Sequence, residues 1–87
     1  MSDLVLLDFY AQWCNPCKMM EPVMEEVAKK VTVKRIDVDA DQVLARKHNV
    51  MSIPTLILLK NDQPVKQWIG YQSKENLMAA LQPFLAV

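Results

Sequence analysis

The chain has 87 residues, 52% of them hydrophobic, and its ten acidic side chains balance ten basic ones. This length predicts a single small domain, residues 1–87, with a modest core. The neutral charge, without a long block of either sign, gives no reason to expect binding to nucleic acid or to an anionic membrane. No apolar run approaches the roughly 20 residues that cross a bilayer, and the acidic start lacks the basic region of a signal peptide, so we expect a cytoplasmic protein.

The first half of the chain predicts a strand, a helix and a second strand. Residues 4–9 form a nearly continuous apolar run, which is typical of a strand buried on both faces. Apolar residues at helical spacing over 19–28 predict the helix. Pro22 is expected to kink this helix, because proline cannot donate a hydrogen bond to the carbonyl of Lys18. Residues 31–38, rich in β-branched side chains, predict the second strand.

A short helix and a third strand are predicted next. Asp39 or Asp41 can cap this helix, because a side-chain oxygen accepts hydrogen bonds from the unpaired N–H groups at a helix start. Asn49 can end it, since asparagine tolerates the left-handed backbone conformation. Residues 55–59 are apolar apart from the first and predict the third strand.

The C-terminal part predicts a returning strand and a last helix. Residues 61–64 (NDQP) are typical of a turn, and residues 65–69 form the strand that completes a hairpin. Ser73 is expected to cap the last helix, and Pro83 to fray its end. The order βαβαββα predicts an α/β fold with a four-stranded mixed sheet and helices on both faces.

The two cysteines, Cys14 and Cys17, are the residues most informative about chemistry. A reducing cytosol disfavours structural disulfides, and a bond across three residues would restrict the unfolded chain little. On a helix, residues three apart share a face with Cβ atoms about 5–6 Å apart, close to the about 3.5–4.5 Å of a disulfide. A small adjustment can therefore make or break the bond, which predicts a redox-active dithiol.

The two sulfurs are expected to play different parts. Cys14 lies where the helix begins, and there unpaired N–H groups and the positive end of the helix dipole stabilise a thiolate. Because the thiolate is the reactive form, we expect Cys14 to be the attacking sulfur. Cys17, one turn inside the helix, is expected to be more shielded and to act as the resolving thiol. Pro16 occupies an early helical position, where its missing N–H costs nothing.

Three other interpretations of the cysteine pair are less consistent with the sequence. A closed zinc site needs four ligands, and the sequence offers only His48 as a further nitrogen ligand and no second cysteine pair. An iron–sulfur cluster shared between two chains is less favoured still. A pair of inert core cysteines conflicts with their polar, proline-containing surroundings. We therefore predict no metal and no bound cofactor.

Two motifs resemble the thioredoxin family. Residues 8–18 (DFYAQWCNPCK) are similar to the active-site signature of that family, and residues 52–55 (SIPT) are similar to its cis-proline loop. The resemblance extends over residues 4–85 and implies a minimal thioredoxin fold. It also implies a cis bond between Ile53 and Pro54, beside the dithiol. Composition alone favours a plain proline at the start of a strand, and only the resemblance favours the cis bond at Pro54.

The resemblance gives Asp8 a role in proton transfer with Cys17. Alternation along the first strand places Asp8 on the same face as Leu6, so its carboxyl group is expected to be partly buried, which raises a carboxyl pKa. A strand-end aspartate that reaches solvent is an equally good interpretation from the sequence alone. Arg35 matches a family position near this acid, but we favour a plain solvated charge on an edge strand.

An apolar substrate-binding surface around the dithiol is also implied. Aromatic and methionine side chains adapt to varied partners, and the backbone beside a cis-proline can pair with an extended segment. Taken singly, each of these residues is more often part of a core. The residues assigned to this surface are Trp13, Pro16, Met51, Ile53, Pro54, Gly70 and Tyr71.

The sequence departs from the family pattern in two places that matter. Asn15 replaces the glycine that most thioredoxins carry between the cysteines, which leaves the redox potential open. The extra strand and helix that usually precede the segment matching Leu4 are absent, so residues 31–38 are expected to form an exposed sheet edge. Lys34 and Arg35 are charges that discourage edge-to-edge pairing, and we predict a monomer.

The resemblance implies a protein-disulfide oxidoreductase that reduces disulfides in protein substrates. Its oxidised cysteine pair would be reduced again by NADPH through a thioredoxin-reductase-like flavoenzyme. One alternative is a glutaredoxin-like protein that is reduced by glutathione. A second alternative, of a different class, is a non-catalytic docking module of thioredoxin fold in which the cysteine pair matters little.

Overall fold

Four strands and four helices make up the part of the chain that the structure, a computed structural model, describes: residues 3–85. The elements in chain order are β1 (Leu4–Tyr10), α1 (Asn15–Met19), α2 (Glu21–Val27), β2 (Thr32–Asp37), α3 (Gln42–Lys47), β3 (Thr55–Lys60), β4 (Gln63–Ile69) and α4 (Lys74–Leu85). The strands form one sheet in the order β2-β1-β3-β4. β1 runs parallel to β2 and antiparallel to β3, so the sheet is mixed, as predicted.

Helices cover both faces of this sheet because β1 is apolar on both sides. Leu6 lies in a core cluster with residues of α2 and α4. Leu7 and Phe9 point the other way and pack with Ala45 of α3. Asp8 shares the face of Leu6 and lies near the carboxyl end of β1, which continues to Tyr10. The α/β fold class predicted from the sequence is confirmed.

The first helical segment is two helices rather than one kinked helix. α1 ends at Met19, and α2 begins at Glu21 with Pro22 in its first turn. Pro22 has no N–H to donate back along the chain, so the hydrogen-bond ladder cannot continue through it. The break at Met20 leaves α1 as a short segment that carries the two cysteines.

Two other prolines behave differently from the prediction. Pro83 lies inside α4, which continues to Leu85, because Phe84 and Leu85 pack against the core and hold the last turn in place. Pro64 belongs to β4 rather than to the turn. The turn is shorter than the predicted turn over residues 61–64. Asn61 and Asp62 both have left-handed φ angles, 51° and 67°, which is the geometry of a two-residue hairpin loop.

The predicted helix caps are present. The Asp41 carboxylate accepts a hydrogen bond from the N–H of Leu44 at 3.0 Å, so Asp41 rather than Asp39 caps α3. Asn49, which follows α3, has a φ of 57°. The Ser73 hydroxyl accepts from the N–H of Asn76 at 3.2 Å, at the start of α4. No helix within residues 3–85 has the length and apolar character needed to cross a membrane.

Candidate active site

The two cysteines lie at the start of α1 and are joined as a disulfide. Their Cα atoms are 5.3 Å apart. Cys14 is the N-cap residue of α1, with φ −88° and ψ 107°, and its Sγ accepts a hydrogen bond from the N–H of Cys17 at 3.2 Å. The exposed fractions are 3% for Cys14 and 4% for Cys17. The prediction that Cys17 is the more shielded residue is therefore wrong for the oxidised form, and the helix start distinguishes the two residues instead.

Asp8 is buried, with 4% of its surface exposed, as its place on the core face of β1 predicted. The Arg35 Nε donates to Asp8 Oδ2 at 3.3 Å, because the parallel register of β1 and β2 pairs these two residues. The interpretation of Arg35 as a plain solvated charge is therefore wrong. Burial raises the pKa of Asp8, and the charge and hydrogen bond of Arg35 offset this only in part, so the pKa stays above its ordinary value.

Arg35 connects Asp8 to a cavity that reaches Cys17. The guanidinium carbon lies 4.2 Å from the centre of the Tyr10 ring, in a cation–π arrangement. The cavity beside this pair has a volume of about 270 Å³. It is lined by Tyr10, Ala11, Gln12, Cys17, Lys18, Glu21 and Arg35. Sequence reasoning missed Tyr10 and Glu21, since only the strand register and the helix break bring them to this cavity.

The loop before β3 packs against the dithiol. The Ile53–Pro54 peptide bond is cis, as the family resemblance implied, and Pro54 is buried. Ile53 packs against the small cluster that contains Cys14 and Cys17. Gly70, with a φ of 89°, donates its N–H to the carbonyl of Pro54 at 2.8 Å and so ties the end of β4 to this loop. The structure thus brings Ile53 together with the cysteines, and the loop places Pro54 next to it.

Exposed apolar side chains surround this loop. Trp13 is 68% exposed and Met51 is 93% exposed. Both line a groove of about 410 Å³ whose other lining residues are Val38, Ala45, Val50, Ser52 and Ile53. Tyr71 is also exposed. The Trp13 indole N–H donates to the Asp39 carboxylate at 2.9 Å, a contact between residues far apart in the chain that the sequence did not predict.

The remaining predicted site residue, Pro16, is exposed in the first turn of α1, between the cysteines. His48, the further nitrogen ligand considered for zinc, is half-buried and packs its ring on Phe9 at a centroid distance of 5.7 Å. Within residues 3–85, no group of three or more His, Cys, Asp or Glu side chains is arranged to hold a metal ion.

Comparison with known proteins agrees with this geometry. The sequence profile of the thioredoxin family matches residues 1–83. The chain belongs to the thioredoxin family. The thioredoxin of Alicyclobacillus acidocaldarius is 53% identical over 85 residues, which cover 93% of this chain and 81% of the relative. A Staphylococcus aureus thioredoxin is 48% identical over 88 aligned positions, which cover 97% of this chain and 85% of the relative.

Solved thioredoxin structures have the same fold. A mutant thioredoxin from Halobacterium salinarum superposes with a TM-score of 0.93 at 39% identity and covers 98% of this chain and 77% of that one. The oxidised thioredoxin from Plasmodium falciparum gives a TM-score of 0.83 at 32% identity and covers 95% of this chain and 82% of that one. The observed sheet and helices are therefore the minimal thioredoxin fold that the sequence predicted.

Family membership and the cysteine pair together establish the type of activity. The protein is a thiol–disulfide oxidoreductase that acts on protein disulfides, and the Cys14–Cys17 disulfide is its redox-active group. As in the family generally, its substrates are disulfide-containing proteins, and a reductase regenerates the dithiol.

Proposed function

We propose that this thioredoxin works as a reductant of protein disulfides, with Cys14 as the attacking sulfur, Cys17 as the resolving sulfur and Asp8 as the proton acceptor. The observation that carries the proposal is the hydrogen bond from the N–H of Cys17 to the Cys14 Sγ at the start of α1. A donor aimed at the sulfur favours its charged form and so lowers the thiol pKa. Cys17 has no such position, because it lies inside the helix.

The reaction has two displacement steps. The Cys14 thiolate attacks one sulfur of the substrate disulfide, the S–S bond of the substrate breaks, and the released thiolate takes up a proton. Cys17 then loses its proton and attacks the Cys14 sulfur. The mixed disulfide breaks, the second substrate sulfur leaves as a thiolate and is protonated, and the Cys14–Cys17 bond forms. The substrate gains two electrons, and the enzyme loses two.

Asp8 is proposed to take the proton of Cys17. A raised pKa makes a carboxylate a better base, because its proton affinity moves closer to that of a thiol. The cavity of about 270 Å³ lies between Cys17 and Arg35, the hydrogen-bond partner of Asp8. The walls of this space are partly polar, and it is large enough for several waters, which we propose as the link between the Cys17 sulfur and the Asp8 carboxylate.

The substrate is proposed to bind over the exposed apolar surface beside the disulfide. Trp13 and Met51 offer contacts that adapt to different side chains. Ile53, next to the cis-proline, is proposed to pair through its backbone with an extended substrate segment. Pro16, Pro54 and Gly70 complete the proposed binding residues. The hydrogen bond from Trp13 to Asp39 holds the indole at the edge of the groove in place.

We further propose that residues 1–87 act as one monomeric domain in the cytoplasm. Lys34 and Arg35 put charges on the exposed β2 edge, and such charges oppose pairing of two edges. A compartment that keeps thiols reduced supplies the electrons that the reaction consumes.

Substitution of the resolving cysteine tests the proposed roles. Cys17→Ser keeps the attacking sulfur but removes the second step, so the variant is expected to accumulate covalent complexes with disulfide-containing proteins. Non-reducing electrophoresis followed by mass spectrometry identifies the linkage through Cys14. Cys14→Ser is the matched control and should trap little, because its remaining cysteine lacks the hydrogen-bond donor. Equal trapping by both variants would contradict the assignment, and no trapping by either would favour a docking module.

The recycling partner is tested with the wild-type protein. We propose an NADPH-dependent flavoprotein reductase, so catalytic amounts of a thioredoxin reductase with NADPH are expected to reduce the Cys14–Cys17 disulfide and to sustain turnover. Consumption of NADPH, followed by absorbance, measures this rate. Faster reduction by millimolar glutathione alone, without the flavoenzyme, would instead support the glutaredoxin-like alternative.

A further inference from the structure

Glu21 lies at the mouth of the cavity that reaches Cys17, and neither the family signature nor the proposed reaction uses it. The break between α1 and α2 makes Glu21 the first residue of α2. From there it lines two cavities, both of which Arg35 also lines. One is the Cys17 cavity, and the other is a groove between α2 and β2. Glu21 thus shares both cavities with Arg35, the hydrogen-bond partner of the Asp8 carboxylate.

Arg35 is not fully engaged by Asp8. It donates from Nε to Oδ2 at 3.3 Å, while its guanidinium group lies over the Tyr10 ring and 40% of its side chain remains exposed. The ion pair with Asp8 is the only one that Arg35 makes among residues 3–85, and Glu21 makes none within the same range. Within residues 3–85, a carboxylate without an ion-pair partner and an arginine with unused donors therefore line the same two cavities.

We propose that Glu21 is a positioning residue for proton transfer: its negative charge at the cavity mouth makes Asp8 a better acceptor for the Cys17 proton. This inference rests on the proposed role of Asp8 as the base. Glu21 raises the proton affinity of Asp8 in two ways. It repels the charged form of Asp8 directly, and it competes for the donors of Arg35 that favour that charged form.

Few other groups near Asp8 could raise its proton affinity in this way. Among the causes of the raised pKa of Asp8, burial is the largest, Arg35 opposes it, and Glu21 is the one carboxylate that adds to it. The β3, β4 and α4 elements contribute apolar residues to this face of the sheet. The titratable and charged side chains that line the two cavities are Tyr10 from β1, Lys18 from α1, Glu21 and Glu25 from α2, and Arg35 and Cys17.

Glu25 provides a matched control. It is the next acid of α2, is exposed like Glu21 and lines the groove, but it does not line the Cys17 cavity. In the oxidised protein, where the cysteines do not titrate, the Asp8 carboxyl group can be followed by NMR as a function of pH. Glu21→Gln is expected to lower the pKa of Asp8, with an about twofold increase in its acid dissociation constant at low salt. The increase should shrink in high salt, because Glu21 is exposed.

The same variants are then compared in the Cys17 step, measured as release of substrate from the mixed disulfide over a range of pH. Glu21→Gln should move the acid limb of this profile to lower pH, and this movement should disappear when Asp8 is also replaced by asparagine. An unchanged Asp8 titration in Glu21→Gln, or an equal change in Glu25→Gln, would overturn the proposed role of Glu21 but not that of Asp8. If Asp8→Asn leaves the Cys17 step unaltered, the base role of Asp8 fails and the catalytic role of Glu21 fails with it.

Discussion

Replacing Asp8 with asparagine is expected to slow the release of substrate from the mixed disulfide roughly 10- to 100-fold at neutral pH. This loss lies at or below the low end of what a general base contributes, because a thiol near neutral pH ionises to some extent without help. The first step, attack by Cys14, should change much less, since the hydrogen bond to its sulfur comes from the backbone of Cys17. Stopped-flow measurement of the two steps separates these effects.

The same substitution is expected to stabilise the folded protein at neutral pH. Burial raises the pKa of Asp8 above its unfolded value, so the folded protein binds this proton more tightly than the unfolded chain does. The stability gained from this tighter proton binding is fully present at pH values below the pKa of Asp8 in the unfolded chain. It is lost as the pH rises through the pKa of Asp8 in the folded protein. Asp8→Asn removes the buried charge, so the variant does not lose this stability as the pH rises. Its free energy of unfolding is expected to exceed that of the wild type by about 1 kcal/mol or more at neutral pH.

Urea unfolding of the oxidised proteins at acidic and neutral pH measures this difference. The two unfolding free energies should converge at acidic pH, where Asp8 is protonated in both states, and diverge as pH rises. Asp62→Asn is a suitable control, because Asp62 is exposed in the β3–β4 turn and asparagine tolerates its left-handed conformation. A stability gain that is independent of pH would mean that desolvation of the carboxylate is not its cause.

The burial of Asp8 could be predicted from the sequence, whereas its partner could not. Alternation along β1 is a local pattern, and it places Asp8 on the face of Leu6 without reference to the rest of the chain. Arg35 is 27 residues away, and the pairing depends on the parallel register of β1 and β2, which a crossover connection sets. The contact between Trp13 and Asp39 spans 26 residues and was missed for the same reason.

The prolines show where local rules need tertiary information. Pro22 was expected to kink a helix, and its effect is larger because the chain turns at Met20 to begin α2. Pro83 has less effect than expected, since the apolar side chains that follow it are held against the core. In both cases the sequence correctly predicts that the proline lacks a hydrogen-bond donor. The packing that amplifies or offsets its effect depends on residues far away in the chain.

Replacing Arg35 with methionine is expected to destabilise the protein at neutral pH by about 1–3 kcal/mol. Methionine keeps an apolar side chain of similar length but removes the charge and the donor, so Asp8 is left buried without its partner. Both interactions of Arg35 lower the pKa of Asp8, and their loss should raise it further. The expected cost is below that of breaking a fully buried pair, because 40% of the Arg35 side chain is exposed and screened by solvent.

The dependence on pH and on Asp8 separates this charge effect from lost packing. Below the pKa of an unfolded aspartate, Asp8 is neutral in both states, so the cost of Arg35→Met should largely disappear. In the double variant with Asp8→Asn, the remaining buried group is a neutral amide, and most of the lost stability should return at neutral pH. If Arg35→Met instead lowers the free energy of unfolding equally at both pH values and in the double variant, the lost stability comes from the contact of Arg35 with the Tyr10 ring. Arg35 would then serve this site by covering Tyr10, and its charge would be secondary.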